Sequence, residues 1–266
     1  MSPGQRRWIF LAGVAGLAAF YLWGLTGLPG FGNYPGPYGD IINHVAVAQT
    51  NATGVVSAVN FEYRGFDTVG EEFILFVAAT GVAVVLRHLR KERQQKEDDP
   101  TADWAIPPAS DAVRLAALFF TGPVVVMGWF LGLHAQTSPS GGFQGGVVLA
   151  TAFILIYLSG EFLLFRRVSP ADVTDAVEAV GAGGFAAVGI SAVAMGLPYL
   201  KNFLPRGTVP GAVSSGGTSP LISFFVGVEV AAAFILIVGE LVEQNLLVRQ
   251  GERLCTSSRS WSWCTS

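Results

Sequence analysis

Phe224-Phe-Val-Gly-Val-Glu229-Val-Ala-Ala-Ala-Phe-Ile-Leu-Ile-Val-Gly239 sets the class of this protein. One charged side chain stands in an otherwise apolar run, and in hydrocarbon such a run satisfies its backbone polar groups as an α-helix. Five further apolar stretches, at residues 8–29, 73–86, 115–133, 143–160 and 179–200, accompany the one at 220–239. Each is near the ~20 residues that cross ~30 Å of hydrocarbon, the second being the shortest. With 51% hydrophobic and 13% charged residues among 266, and a mean hydropathy of +0.50, the composition is that of a multispanning membrane protein. The predicted fold is all-α and polytopic, with six transmembrane helices.

Basic residues fix the expected orientation. With both termini cytoplasmic, thirteen of the sixteen Lys and Arg residues fall on the inner side, and only Arg64, Lys201 and Arg206 fall outside. That bias satisfies the positive-inside rule and is scrambled by adding or removing one span. The first stretch follows Arg6 and Arg7 but has no clear small-x-small site before Pro29. It reads as a retained helix, with a cleaved signal as the alternative. The formal net charge of −3 gives no support to nucleic-acid binding, because the basic residues sit at membrane edges. Cys255 and Cys264 lie in a segment expected to be cytoplasmic, so neither a disulfide nor a metal motif is expected of them.

Punctuation along the chain divides it into four parts: residues 1–95, a cytoplasmic linker at 96–111, a four-helix part at 112–248 and a disordered tail at 249–266. Pro107 and Pro108 end any preceding helix, and Ser110 or Asp111 can cap the next. In the outer loop, residues 40–59 suit a short surface helix, whose lone His44 has no second ligand at metal spacing. Between spans three and four, His134 leads into Ser138-Pro139-Ser140-Gly141-Gly142-Phe143-Gln144-Gly145-Gly146. Here Gly141 and Gly142 allow positive φ, while Gly145 and Gly146 allow another backbone to approach. No Lys-Ser/Thr follows, so this is not a phosphate loop. Ser169 is the expected N-cap of span five, with Pro170 at its first position. Asp172, Asp175 and Glu178 share one face of that helix and read as a solvated acidic face.

Three acids fall within or at the ends of the spans. Glu161 and Glu240 lie near inner helix ends, where water, Arg166 or Arg249 can satisfy them. Glu229 lies close to mid-membrane with no basic neighbour in its own helix. It is therefore neutral, paired across helices or beside water, and either a proton or cation carrier or an interhelical hydrogen-bonding group. A fourth constellation, Arg64-Gly-Phe-Asp67-Thr-Val-Gly-Glu71-Glu72, runs directly into the apolar stretch at Phe73. Arg64 can pair with Asp67 or Glu71, and Thr68 can help cap the helix. Two consecutive glutamates exceed what a helix N-terminus uses, which leaves an outer mouth that concentrates cations or passes protons inward as the functional alternative.

Val59-Asn60-Phe-Glu62-Tyr-Arg64-Gly-Phe-Asp67-Thr-Val69-Gly-Glu71 resembles the signature at the C-terminal end of the large subunit of Mrp-type cation/proton antiporters, shared with MbhE-like subunits of membrane-bound hydrogenases. Val69 replaces a leucine, and Glu62 stands where aspartate is common. Pro139-Ser140-Gly-Gly-Phe-Gln-Gly-Gly146 is similar to the Pro-Gly-Gly-Gly-Phe-Gln-Gly-Gly loop of the MnhB/MrpB subunit, with His134 slightly farther from the loop than the histidine of many members. Gly227-Val-Glu229-Val resembles a stretch of the last MnhB helix. The resemblance covers roughly residues 40–90 and 112–248 and implies an MbhE-like module fused to an MnhB-like subunit.

What the resemblance implies is membership of a complex that exchanges Na⁺ or K⁺ for protons, with other antiporter subunits and the lipid bilayer as partners. Asp67, Glu71, Glu72 and Glu229 are then the ion-path candidates, with Arg64, His134, Glu161, Glu178 and Glu240 secondary. The glycine loop is assigned to subunit or helix packing. A purely structural role in the membrane, and membership of a hydrogenase-like ion-pumping complex, are the alternatives. The sequence contains no nucleophile beside a base, no metal-ligand cluster and no nucleotide loop, so neither an enzyme nor a cofactor is expected.

Overall fold

In a computed structural model the described residues are 3–28, 30, 32, 36–92 and 109–257, and the side chains of residues 3, 6, 87–92, 161 and 245–257 lie outside the description. The chain forms two compact units, one ending at Ile42 and one beginning at Asn43. The first contains α1 (Pro3–Thr26), whose Arg7–Thr26 stretch is long and apolar enough to cross a membrane. Trp8, Phe20 and Trp23 are exposed along it, with Phe20 and Trp23 packed edge to face. Such a surface suits lipid. α2 (Pro37–Thr50) is the short helix expected in the outer loop.

The second unit continues with α3 (Val55–Ala58), a π-helical turn (Val59–Tyr63) and five long helices: α4 (Gly65–Glu92), α5 (Asp111–Leu133), α6 (Gly142–Val168), α7 (Ala171–Ala194) and α8 (Ser219–Ser257). Together with α1 they give the six candidate spans, and no strand occurs among the described residues. α8 is the central helix. It buries 61% of its span, against 17% for α4 and α5, and it packs on α4, α5, α6 and α7. Its apolar character on every side follows from that position.

Two devices hold α8 there. Phe61, Phe185, Val188, Leu200, Ile222, Val226 and Val230 form one apolar cluster, and Ala79 and Ala83 of α4 meet Ala233 and Leu236 in a second. Glycine supplies the rest. A Cβ added to Gly146 would stand 2.7 Å from Gly227 O, and one added to Gly145 would stand 2.6 Å from Gly132 N. Small residues let backbones approach where hydrophobic exclusion gives no drive between helices in lipid. Ser223 on α8 adds a buried hydrogen bond, its Oγ donating to Gly132 O at 2.7 Å.

Several local expectations change. α4 starts at Gly65, eight residues before Phe73, because Arg64 alone breaks the helical backbone, at φ −129° and ψ 32°. Asp67, Glu71 and Glu72 therefore belong to the helix itself. Thr68 does not cap it; its hydroxyl donates to Asn60 O at 2.9 Å, tying α4 to the π-helical turn. Ser110 is the N-cap of α5, accepting from Val113 N at 3.4 Å. Ser169 is not the N-cap of α7: it donates back to Phe165 O, and Pro170 takes the cap position. Gly141 is extended, at φ −168°, and neither it nor Gly142 has positive φ. Gly142 is required by crowding instead, since its Cβ would stand 2.8 Å from Val226 Cβ. α8 is helical to Ser257, past Arg249 where a disordered tail was expected, because the residues after Gly239 contain neither proline nor a run of turn formers before Thr256. Residues 258–266 and most of the linker, at 96–108, fall outside the described residues.

Candidate carboxyl-lined cleft

The two motifs singled out in the sequence meet in space. The starts of α4, α6 and α8 and the end of α5 lie at one end of the bundle. Between the π-helical turn, α4 and the 139–146 loop is a cleft of about 390 Å³. Its wall includes Ser57, Asn60, Glu71, Glu72, Ser140 and Gln144. The loop is shaped locally: Ser138 Oγ and Ser140 Oγ are 2.8 Å apart, and α6 starts directly after Gly141. Gly142 and Phe143 then bring the head of α6 against α8.

Helical periodicity sorts the acids of the first motif. Asp67 and Glu71 are one turn apart on the outer side of α4, whereas Thr68 and Glu72 turn inward. Asp67 is exposed and paired with Arg64, Nε to Oδ2 at 2.6 Å. Glu71 is also exposed, at the rim of the cleft. Glu72 is only 3% exposed.

Behind Glu72 stands Glu229, which has no exposure at all. Glu72 on α4 and Glu178 on α7 are both near enough for their charges to act on Glu229. The fit is enforced by Gly181, one turn after Glu178, whose missing side chain admits the backbone of Glu229. Neither oxygen of Glu229 has a hydrogen-bond donor among the described residues, nor does Glu72 Oε2, and the buried Ser57 hydroxyl is likewise unpartnered. Burying carboxyl oxygens without donors is costly. Glu178, expected on a solvated face, is 3% exposed because that face of α7 packs against α8.

The other candidates lie elsewhere. His134 ends α5, its Nδ1 3.0 Å from Phe130 O and its ring stacked on Phe130 at 4.3 Å, so it does not reach the carboxyls through that contact. Glu240 is buried on α8 eleven residues past Glu229, 3.7 Å from Arg166, one of the two arginines foreseen near it; Arg166 also contacts Glu243. The side chain of Glu161 lies outside the described residues. No group of three His, Cys, Asp or Glu residues placed to hold a metal occurs among the described residues.

Sequence reasoning overlooked Ser57 and the network around Glu62. Glu62 Oε1 accepts from Asn202 and, at 3.2 Å, from Ser219, while Oε2 faces Arg206 at 3.4 Å. This network ties the connection between α7 and α8 to the π-helical turn. Glu62 and Arg206 are separated by far too much sequence for spacing to reveal them. For Ser57 the only signal was its place just ahead of the motif.

Residues 112–236 match the family described as a domain related to the MnhB subunit of Na⁺/H⁺ antiporter. The probable A/B subunit of a K⁺/H⁺ antiporter from Rhizobium meliloti is 29% identical over 227 residues, which is 76% of this chain and 22% of that protein. An uncharacterised protein of Methanocaldococcus jannaschii is 28% identical over 217 residues, 73% of this chain and 81% of that one. Among solved structures, a chain of an archaeal membrane-bound sulfane sulfur reductase, a respiratory complex, superposes with a TM-score of 0.67 at 26% identity, covering 89% of this chain and 98% of that chain. A chain of the Mrp complex from Dietzia superposes at 0.68 with 20% identity, covering 91% and 26% of the two chains, which is likeness of fold. The chain is a multi-pass membrane protein whose residues 112–236 match the domain related to the MnhB subunit of Na⁺/H⁺ antiporter.

Proposed function

We propose that this chain is a membrane subunit of a multisubunit Mrp-type antiporter that exports Na⁺ in exchange for H⁺ across the cell membrane, and that the Glu72–Glu229 pair lies on its ion path. The observation that carries the reading is the burial of both carboxyls, with neither oxygen of Glu229 given a donor, behind a polar cleft that Glu72 lines. Such a pair can exchange the proton between its oxygens for a cation, because either one relieves the same repulsion. Coupling follows from competition for one place.

In this reading both termini are cytoplasmic and the cleft opens outward. Residues 1–95 act as the MbhE-like module and residues 112–248 as the MnhB-like domain. Asp67 and Glu71 draw cations to the rim, Glu72 receives them, and Gly145 and Gly146 hold α6 where the cleft needs it. Large antiporter-like subunits and small membrane subunits are the partners. A second reading, membership of a redox-driven ion-pumping complex, is favoured by the near-complete coverage of the respiratory-complex chain; the same cleft would then serve a different driving machine.

The test is ion exchange by the whole complex in membrane vesicles carrying Glu229→Gln or Glu72→Gln. The proposal expects the complex to assemble and cation-dependent proton movement to fall about tenfold or more, as when a buried charge site is removed. Full exchange by both variants refutes a place on the path, and loss of assembly alone supports a purely structural subunit.

A further inference from the structure

Among the described residues three hydroxyls line the cleft, those of Ser57, Thr68 and Ser140, and two of them are engaged within the protein. Thr68 donates to Asn60 O, and Ser140 Oγ lies 2.8 Å from Ser138 Oγ. Ser57 is 2% exposed, yet its hydroxyl has no hydrogen-bond partner among the described residues. Helical hydroxyls elsewhere in the chain turn back to the carbonyl four residues earlier, as Thr121 does to Ala117 O and Ser191 to Ala187 O. Ser57 has no such carbonyl in its own helix, because α3 starts only at Val55 and Thr53 precedes it. A buried polar group left without a partner is costly, and a bound water or ion is what accounts for one in a stable fold.

The local fold sets this hydroxyl and a buried acid on the same joint. Ser57 is one helical turn before Asn60 and Glu72 is one turn after Thr68, so the two flank the Asn60–Thr68 hydrogen bond that joins the π-helical turn to α4. Glu72 is 3% exposed, and its Oε2 likewise has no donor among the described residues. No Lys, Arg or His is among the residues lining the cleft. A neutral hydroxyl oxygen with a carboxylate oxygen is a hard, singly charged donor set, which suits an alkali cation better than a soft transition metal. The cleft of about 390 Å³ holds about a dozen waters at ~30 Å³ each. An ion therefore arrives at these oxygens still hydrated.

We propose that Ser57 Oγ is a ligand of the transported cation, forming with Glu72 the place where the ion sheds water, and that it sets the preference among alkali cations. A protein oxygen that replaces a water of the ion's shell matters most to the ion that holds its water most tightly. Na⁺ therefore gains more from Ser57 than K⁺ does. This rests on the exchange reading above for its cargo and adds the ligand that discriminates between cargoes.

The test is equilibrium binding of radiolabelled Na⁺ to the purified whole complex, with K⁺ as competitor, beside cation-dependent proton exchange in vesicles. Wild type is expected to bind Na⁺ saturably, with the component that Glu72→Gln removes belonging to this site. Ser57→Ala weakens that component about threefold to tenfold, the effect of losing one neutral polar contact, and weakens K⁺ binding less, so the preference for Na⁺ over K⁺ falls. Ser57→Cys, which keeps the shape but offers a soft sulfur, behaves like Ser57→Ala. Ser57→Thr keeps the hydroxyl and stays near wild type. Unchanged Na⁺ affinity in Ser57→Ala and Ser57→Cys overturns the proposal and leaves an ordered water as the partner of Ser57, and an equal loss for both ions overturns its discriminating role. A wild type in which Glu72→Gln removes no Na⁺ binding overturns the site itself. A wild type that binds Na⁺ at this site but exchanges none leaves the site standing and refutes the exchange reading instead.

Discussion

Gly181→Ala inserts one methyl group where α7 crosses α8. The new Cβ would lie 2.6 Å from both Cβ and N of Glu229 and 2.7 Å from its Cα. Ordinary contact needs about 3.5–4 Å, so the helices must separate by about 1 Å at the one place where Glu229 is held. Two of those three atoms belong to the backbone of α8, and no side-chain rotation relieves them. Overpacking of this kind typically costs about 1–3 kcal/mol, which outweighs the ~0.5–1 kcal/mol an exposed helical glycine gains on becoming alanine. Gly183, two residues on, is the internal control, because its Cβ would meet nothing within 4 Å. Thermal unfolding of the purified complex and cation-dependent proton exchange in vesicles provide the readouts. Gly181→Ala is expected to be less stable and to exchange at least several-fold more slowly, with Gly183→Ala equal to wild type or slightly more stable. Equal stability and exchange in the two variants would refute the claim that the α7–α8 crossing positions Glu229.

Asp67→Asn removes only an exposed partner of Arg64, so a stability change below about 1 kcal/mol is expected, with a smaller loss of exchange than Glu72→Gln gives in the same vesicle assay. Ser57→Ala deletes a buried hydroxyl that has no hydrogen-bond partner among the described residues; unfolding should show no loss of stability, while the cation concentration for half-maximal exchange is expected to rise, because Ser57 lines the cleft. Glu62→Ala leaves Asn202, Ser219 and Arg206 without their common acceptor. A cost of about 1–3 kcal/mol is expected, with faster proteolysis of residues 195–218 as the measurement.

The sequence carried some of this plainly. Apolar length alone located the spans, because hydrocarbon leaves the backbone no option but the helix. The glycine loop was legible as a place of close approach, although the reason for Gly142 was crowding by α8 and not a turn. What sequence could not reveal is which side of a helix faces inward. Glu71 and Glu72 are adjacent, yet one is exposed and the other buried, and the ~100° between them is decided by where α8 lies. Glu178 looked solvated for the same reason: its neighbours Asp172 and Asp175 are three residues apart from one another, but only the glycines that follow let α8 come close enough to cover it. Glu229 was recognisable as costly from its apolar setting, while its partners on α4 and α7 depended on long-range packing.

The central claim is that Glu72 and Glu229 share one positive occupant, either a proton or a cation. Infrared difference spectroscopy of the intact complex, recorded as Na⁺ or K⁺ is added at constant neutral pH, tests it most directly. A protonated-carboxyl band that declines as the cation is added, and is missing in the Glu72→Gln/Glu229→Gln double variant, is the predicted result. A band that is the same with and without cation in the wild type, or one that persists unchanged in the double variant, would contradict it.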